Sequence, residues 1–546
     1  MLVYDAPKQT GLLSARSAPP KSAPQSGPAP AALPTDQVQL DQAAQTPQGI
    51  HLKPWQKWSL IGLGAIGVIG GLISAATPPA PPPEFSQSEV LEWQGDPTSE
   101  QWQRLSLPGT GETRPIVPGL HADGLAPVTI SETRDRMNNL TFHDIDPYVA
   151  SIANSIDAGR GGGVRDEMKI KLRVLDQYDD RFDIRMGLQN GPNAPMLVIL
   201  PGIYGDPGGS LTVAFKRMAL ERGMNYVAIP NALSKDAMTE DPFFHPGNPG
   251  LEARAVRDIV SQLKERYPDY FGQVSVAGYS YGALLGANAV RYDEELADAG
   301  QPRLFTGSLV ALSPPENLYD SMHALDGLRQ HYEGPSVEGS IIFTGLKYRN
   351  QVREYGYERF MESELASRHQ NTTDIKIADR YGSRDGMEDM IDRVDRQFDH
   401  DLLPAHRPEN RWARGEERNQ IMREHYRALH QLDYDQFSDV WMSQDAWLRQ
   451  HQMTPQQMSS EYSYSRALEV IDDTPVMTIV SQDDYILLPE NVETYRQLEG
   501  QQGPNEALHV YERGGHVGIM FNPEVKDAMI DFAHSPPAAE TAVGSR

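Results

Sequence analysis

VSVAGYSYGALLGANAV, residues 274–290, decides how this chain is read. Its first four residues form a short apolar run of the kind that makes a buried strand. Its last eight are small and apolar, as a helix packed closely on a sheet must be. Between them, Gly278-Tyr279-Ser280-Tyr281-Gly282 fits the pattern G-x-S-x-G. A chain with 46 glycines meets that pentapeptide readily by chance, so the flanking strand and helix carry the inference. A strand that turns straight into a helix strains the serine between them and leaves its Oγ exposed above the sheet. Glycines are needed on either side because a Cβ there would meet neighbouring backbone.

Working outward, similar apolar runs lie at 196–200, 226–229, 309–312, 476–480 and 508–511. Amphipathic stretches such as 251–266 separate several of them. Buried strands alternating with such helices predict a mostly parallel central sheet covered on both faces. Residues 168–175 and 181–186 alternate apolar and polar side chains, as an antiparallel pair does. The stretch from about 320 to 470 is rich in Arg, Asp, Glu, Gln, Tyr and His. It is too long for a crossover and reads as a mainly helical inserted cap.

A serine hydroxyl becomes a useful nucleophile only when a base takes its proton. Where this elbow occurs, the partners follow in the order serine, acid, histidine, on loops after later strands. His516 lies in Gly514-Gly515-His516-Val517-Gly518, directly past the last strand, a setting that the other histidines lack. His245 is the best rival, but it precedes the serine. The acid should follow the penultimate strand, where Asp483 and Asp484 stand side by side in VSQDDYILLP. Many hydrolases with this elbow place the acid three residues past a small residue that ends the strand, with an aliphatic residue two further on; counted from Ser481 to Ile486, that pattern favours Asp484 and leaves Asp483 as the alternative. The acid's task would be to fix the imidazole tautomer and support its positive charge. An oxyanion needs preorganised N–H donors. The Tyr281 amide is one candidate, and in the loop PGIYGDPGG, residues 201–209, Ile203 is the first choice for the second, with Tyr204 next.

These segments resemble the YheT-like branch of the α/β-hydrolases, which also includes lung-type abhydrolases and yeast ethanol acyltransferases. PGIYGDPGG, MALERGMNYVAIPN, LKERYPDYFGQVSVAGYSYGALLGANAV, ALSPPENL, VSQDDYILLPEN and GGHVGIM carry the resemblance. It spans about residues 168–534 apart from the cap. The oxyanion loop departs by opening Pro201-Gly202 instead of His-Gly, and Tyr281 replaces a usual Leu. The resemblance implies an α/β-hydrolase fold and a serine hydrolase acting on carboxylic esters, lipid acyl groups included. It implies no metal and no organic cofactor. Acyl transfer to an alcohol and peptide hydrolysis pass through the same acyl-serine and stay open, as does a catalytically silent membrane-tethered binding protein.

The 546 residues carry a formal net charge of −26, which excludes nucleic-acid binding by phosphate neutralisation. There are no cysteines, so disulfides, thiolate nucleophiles and Cys-ligated metals are excluded. Residues 1–57 are Pro-, Ala-, Gln- and Ser-rich and predict disorder, as does the tail 536–546. Residues 58–76, WSLIGLGAIGVIGGLISAA, contain no charge and are long enough to span a bilayer as a helix. Lys53 and Lys57 precede this span, and Glu84, Glu89, Glu92 and Asp96 follow it. The expectation is a single-pass membrane protein with its N-terminus cytoplasmic and its catalytic part outside. Gly67 and Gly71 form a GxxxG pair that would suit helix dimerisation. Residues 77–165 read as a Pro-rich stalk and irregular segment, and 166–535 as the hydrolase domain. In the cap, Asp395, Asp399, His400, Asp401 and His406 match no ligand spacing and read as a solvated acidic face.

Overall fold

Runs that are apolar on both sides must be buried on both faces, and here they form the middle of a nine-stranded sheet. The computed structural model describes residues 85–93, 128–140, 167–174, 182–234, 247–329, 386–396 and 400–534, with isolated positions between 147 and 164. In chain order the strands are β1 (Phe85–Trp93), β2 (Glu167–Val174), β3 (Phe182–Gly187), β4 (Met196–Leu200) and β5 (Asn225–Ala228). They continue with β6 (Val274–Tyr279), β7 (Leu309–Leu312), β8 (Val476–Ser481) and β9 (Glu506–Tyr511). Their order across the sheet is β1-β2-β3-β5-β4-β6-β7-β8-β9. β3 runs antiparallel to β2 and β5, and every other pairing is parallel. A lone antiparallel strand near one edge, with β4 and β5 crossing over, is the α/β-hydrolase arrangement.

β4 shows how one strand builds two cores. Met196, Val198 and Leu200 face one apolar cluster, while Leu197 and Ile199 face the other. β7 divides in the same way, with Leu309 and Ala311 opposite Val310 and Leu312. The helices Pro249–Arg266 and Tyr281–Asp298 cover the first face. Asn248 caps the former by accepting from the Leu251 amide, and Ala253, Val256, Ile259, Val260 and Leu263 turn its apolar stripe inward. Ser210–Glu221 and Pro523–His534 cover the other face.

The segment before residue 166 holds more order than its composition suggests. β1 pairs in parallel with β2 along the outer edge. The helix Ile130–Asn138 begins with a Thr129/Glu132 capping box and docks beside β9. There the Arg134 Nε donates to the Glu506 carbonyl at 2.8 Å, and the Tyr511 hydroxyl donates to the Met137 carbonyl at 2.9 Å. These contacts join residues far apart in sequence, so local pattern gives no sign of them.

The described part of the insertion is mainly helical, with Gly415–Gln431 its longest helix. It does not sit apart as a removable lid. Tyr434, Phe437, Trp441, Met442, Met458 and Tyr464 are buried in the same cluster as β4 and β6. The span 58–76 lies outside the described residues. Among those described, no helix is long and apolar enough to cross a membrane.

Candidate active site

Ser280 stands between β6 and the helix Tyr281–Asp298 with φ 55° and ψ −135°, a region L-residues rarely occupy. Its amide donates to the Leu312 carbonyl of β7 at 2.9 Å, which fixes the turn to the sheet. A Cβ on Gly278 would run into the Gly282 carbonyl, and one on Gly282 into the carbonyls of Leu200 and Pro201. The elbow therefore closes only with glycine at both positions.

Ser280, His516 and Asp484 come together, although 236 residues separate the serine from the histidine. The Ser280 hydroxyl lies 2.8 Å from His516 Nε2. On the other side, His516 Nδ1 lies 2.9 Å from Asp484 Oδ2 and 3.1 Å from Oδ1. A carboxylate only accepts, so Nδ1 carries the proton and the Nε2 lone pair faces the serine. All three residues are buried. The Ile486 amide donates to Asp484 Oδ1 at 3.1 Å and holds that carboxylate in place.

Asp483 does not reach the imidazole. Its Oδ1 accepts from the Gly515 amide at 2.8 Å, so it anchors the turn that carries His516. Burial pushes its carboxyl up to about 6, against the pull of the Gly515 amide. That turn needs glycine, because Gly514 and Gly515 have φ 148° and 62°, and Val517 follows at 49°. Ser151 and Asn154, from the segment expected to be irregular, donate to the His516 and Val517 carbonyls at 2.7 and 2.8 Å. Ser313 Oγ, at the end of β7, accepts from the Val517 amide at 3.0 Å.

Ile203 and Tyr281 both line the cavity that holds Ser280 and His516. The Tyr281 amide sits at the first helical position, where no intrahelical acceptor exists and the helix dipole favours negative charge. Its side chain turns the other way and donates to Glu252 Oε1 at 2.8 Å. Glu252 is buried and also accepts from the Ala232 and Gly247 amides. Burial outweighs these three donors and raises its carboxyl to about 7. Nothing in the sequence pattern around Glu252 sets it apart from a helix-surface acid.

The cavity has a volume of about 90 Å³, with Leu318, Met322, Leu325 and Ile486 supplying apolar wall. Tyr204 and Tyr434 meet at its edge, hydroxyl to hydroxyl at 3.0 Å. Tyr204 belongs to the loop of Ile203 and has φ 61°, whereas Tyr434 belongs to the insertion. Asp326 receives the Tyr434 amide at 3.0 Å and extends this link to the helix Leu318–Arg329.

No family model matches the chain. A 184-residue stretch is 26% identical to the human ATPase family gene 2 protein homolog A, covering 32% of this chain and 18% of that protein. The chain thus spans less than a fifth of the length of that curated relative. Among solved structures, an esterase of Pyrococcus furiosus is similar with a TM-score of 0.33 and 13% identity, over 67% of this chain and 90% of that one. The Pyrococcus horikoshii acylaminoacyl peptidase gives 0.34 and 11%, over 70% and 43%. The α/β hydrolase GrgF from a Penicillium species gives 0.34 and 13%, over 68% and 99%. The strand order, the antiparallel β3 and the strained turn after β6 place this chain among proteins of the α/β-hydrolase fold.

Proposed function

We propose that the protein is a serine hydrolase that cleaves carboxylic esters through an acyl-serine intermediate. The observation that carries this reading is the unbroken chain from Ser280 Oγ through both His516 nitrogens to Asp484. His516 Nε2 takes the hydroxyl proton as Oγ attacks the ester carbonyl. Asp484 steadies the imidazolium, and His516 then passes the proton to the departing alkoxide. Tyr281 and Ile203 amides are the proposed donors to the oxyanion. Water activated by the same histidine releases the acid and restores the serine.

The acyl group is placed in the cavity beside Ser280, against Leu318, Met322 and Leu325. A fluorophosphonate probe and p-nitrophenyl esters test the reading directly. Wild type should label once and turn over, while Ser280→Ala should fold, fail to label and lose about 10⁶-fold in kcat. A folded Ser280→Ala protein that labels fully would refute it. The proposal extends to membrane attachment through residues 58–76, with the N-terminus cytoplasmic and the catalytic part outside. It rests on the uncharged run and the lysines before it.

A further inference from the structure

Within the insertion, three side chains from three separate segments converge on one point. Asp392 comes from the helical residues 386–396, His406 from the loop that follows, and His425 from the helix Gly415–Gln431. His406 Nε2 lies 3.1 Å and His425 Nε2 2.7 Å from the same Asp392 oxygen. One ligating atom from each residue falls within 4.8 Å of the others. Of the residues that the sequence groups nearby, Asp395 and His406 are drawn together here, and Asp399 lies outside the described residues. His425 is recruited from beyond that run, so short-range spacing could not reveal the set.

The surroundings of His406 match what a metal-binding histidine requires. A ligating imidazole needs its second nitrogen protonated and held by an acceptor. His406 Nδ1 lies 2.9 Å from Asp395 Oδ2. Asp395 is fully buried and is itself fixed by the Trp441 indole N–H at 2.9 Å and by the Leu402 and Leu403 amides at 3.1 and 3.0 Å. The cluster also opens onto a cavity of about 460 Å³ that shares no lining residue with the Ser280 cavity. Space therefore remains for water or a small ligand at further coordination positions.

We propose that Asp392, His406 and His425 bind a divalent transition-metal ion of the zinc class, the histidines through Nε2. The two-imidazole, one-carboxylate donor set suits such an ion better than calcium or magnesium, which prefer oxygen. The ion replaces the proton that His406 shares with Asp392. In His425 the proton passes from Nε2 to Nδ1, which gives up the 3.3 Å bond accepted there from the Ala405 amide, the longest in the cluster. Its effect is to cross-link three segments of the insertion.

The test uses the full chain, stripped with a chelator and titrated with zinc in a calorimeter and in thermal melts. One equivalent should bind saturably and raise Tm, magnesium should do neither, and folded Asp392→Asn and His406→Gln should lose the binding. Asp395→Asn should bind 10–100-fold more weakly, as expected for a group that orients a ligand. Absence of stoichiometric zinc binding by wild type, or equal binding by the folded Asp392→Asn and His406→Gln proteins, would overturn the site. Cobalt-loaded wild type supplies an arm that needs no variant. Two strongly shifted imidazole N–H proton resonances support the assignment, and none overturns it. None of these readouts depends on Ser280, so the site stands or falls apart from the hydrolase reading.

Discussion

At the residue scale, the paired acids divide two tasks that look identical in sequence. Asp484 supports the imidazole, whereas Asp483 holds the Gly515 amide of the turn beneath it. On the serine-hydrolase reading, Asp484→Asn should cost about 10⁴ in kcat, because the imidazole loses its tautomer and its counter-charge. Asp483→Asn keeps an acceptor oxygen for Gly515 and should retain most activity. Asp483→Ala leaves that amide unpaired and should lower stability by about 1–3 kcal/mol. Ester turnover and melting of the three folded variants separate these outcomes, and a fully active Asp484→Asn would move the acid elsewhere. Glu252 allows a pH test. Its carboxyl rises from 4.5 unfolded to about 7 folded, so folding favours its protonated form. The stability this contributes is complete below the unfolded value and is lost as pH climbs through about 7. Glu252→Gln cannot ionise, so across that window it should lose less stability than wild type. Identical pH slopes for the two proteins would show that Glu252 is not the titrating group.

At the element scale, the helix Leu318–Arg329 shapes the cavity wall through Leu318, Met322 and Leu325. Met322→Ala should extend the cavity and shift the preference towards longer acyl chains. The gain for each added methylene should be about 10-fold, the lower range of what one methylene contributes in an apolar pocket. The folded state should lose about 2–5 kcal/mol, since Met322 is buried. A chain-length series of p-nitrophenyl esters decides this, and an unchanged preference would place the acyl group elsewhere. The same scale explains how the insertion can influence the proposed oxyanion loop. Tyr434 reaches Tyr204, one residue past Ile203, by a single hydroxyl pair. A Cβ on Gly386 would press on the Tyr204 ring from the insertion side.

At the scale of the whole molecule, the membrane proposal makes a separate claim. Reporter fusions at residue 40 and after residue 546 should report opposite sides, and alkaline carbonate should leave the chain in the membrane fraction. Two cytoplasmic signals would refute the orientation, and release by carbonate would refute the anchor. The insertion behaves differently from a hinged lid at this scale. Its Tyr464 amide donates to the Glu316 carbonyl at 2.7 Å, its Tyr462 carbonyl accepts from Asn288 at 2.9 Å, and its buried side chains share the main core. Excising it would open that core, so point changes are the sounder probe of its influence.

What could be read in the sequence is what local physics writes there. Two-sided burial made the central strands continuous apolar runs, and the sharp turn after β6 demanded Gly278 and Gly282 around Ser280. The turn carrying His516 likewise needed left-handed glycines, and loop order pointed to the loop of Asp483 and Asp484, where the spacing common in this fold favoured Asp484. The tertiary structure alone decided what depends on distant partners. β1 and the helix Ile130–Asn138 gain their stability by docking on β2 and β9, which a Pro-rich composition does not announce. Glu252, Ser151 and Asn154 acquire roles only because the fold carries backbone amides, a tyrosine hydroxyl and carbonyls to them. The cluster of Asp392, His406 and His425 depends in the same way on three segments packing together. Periodicity and turn chemistry act over a few residues, whereas such contacts are chosen by how whole segments pack.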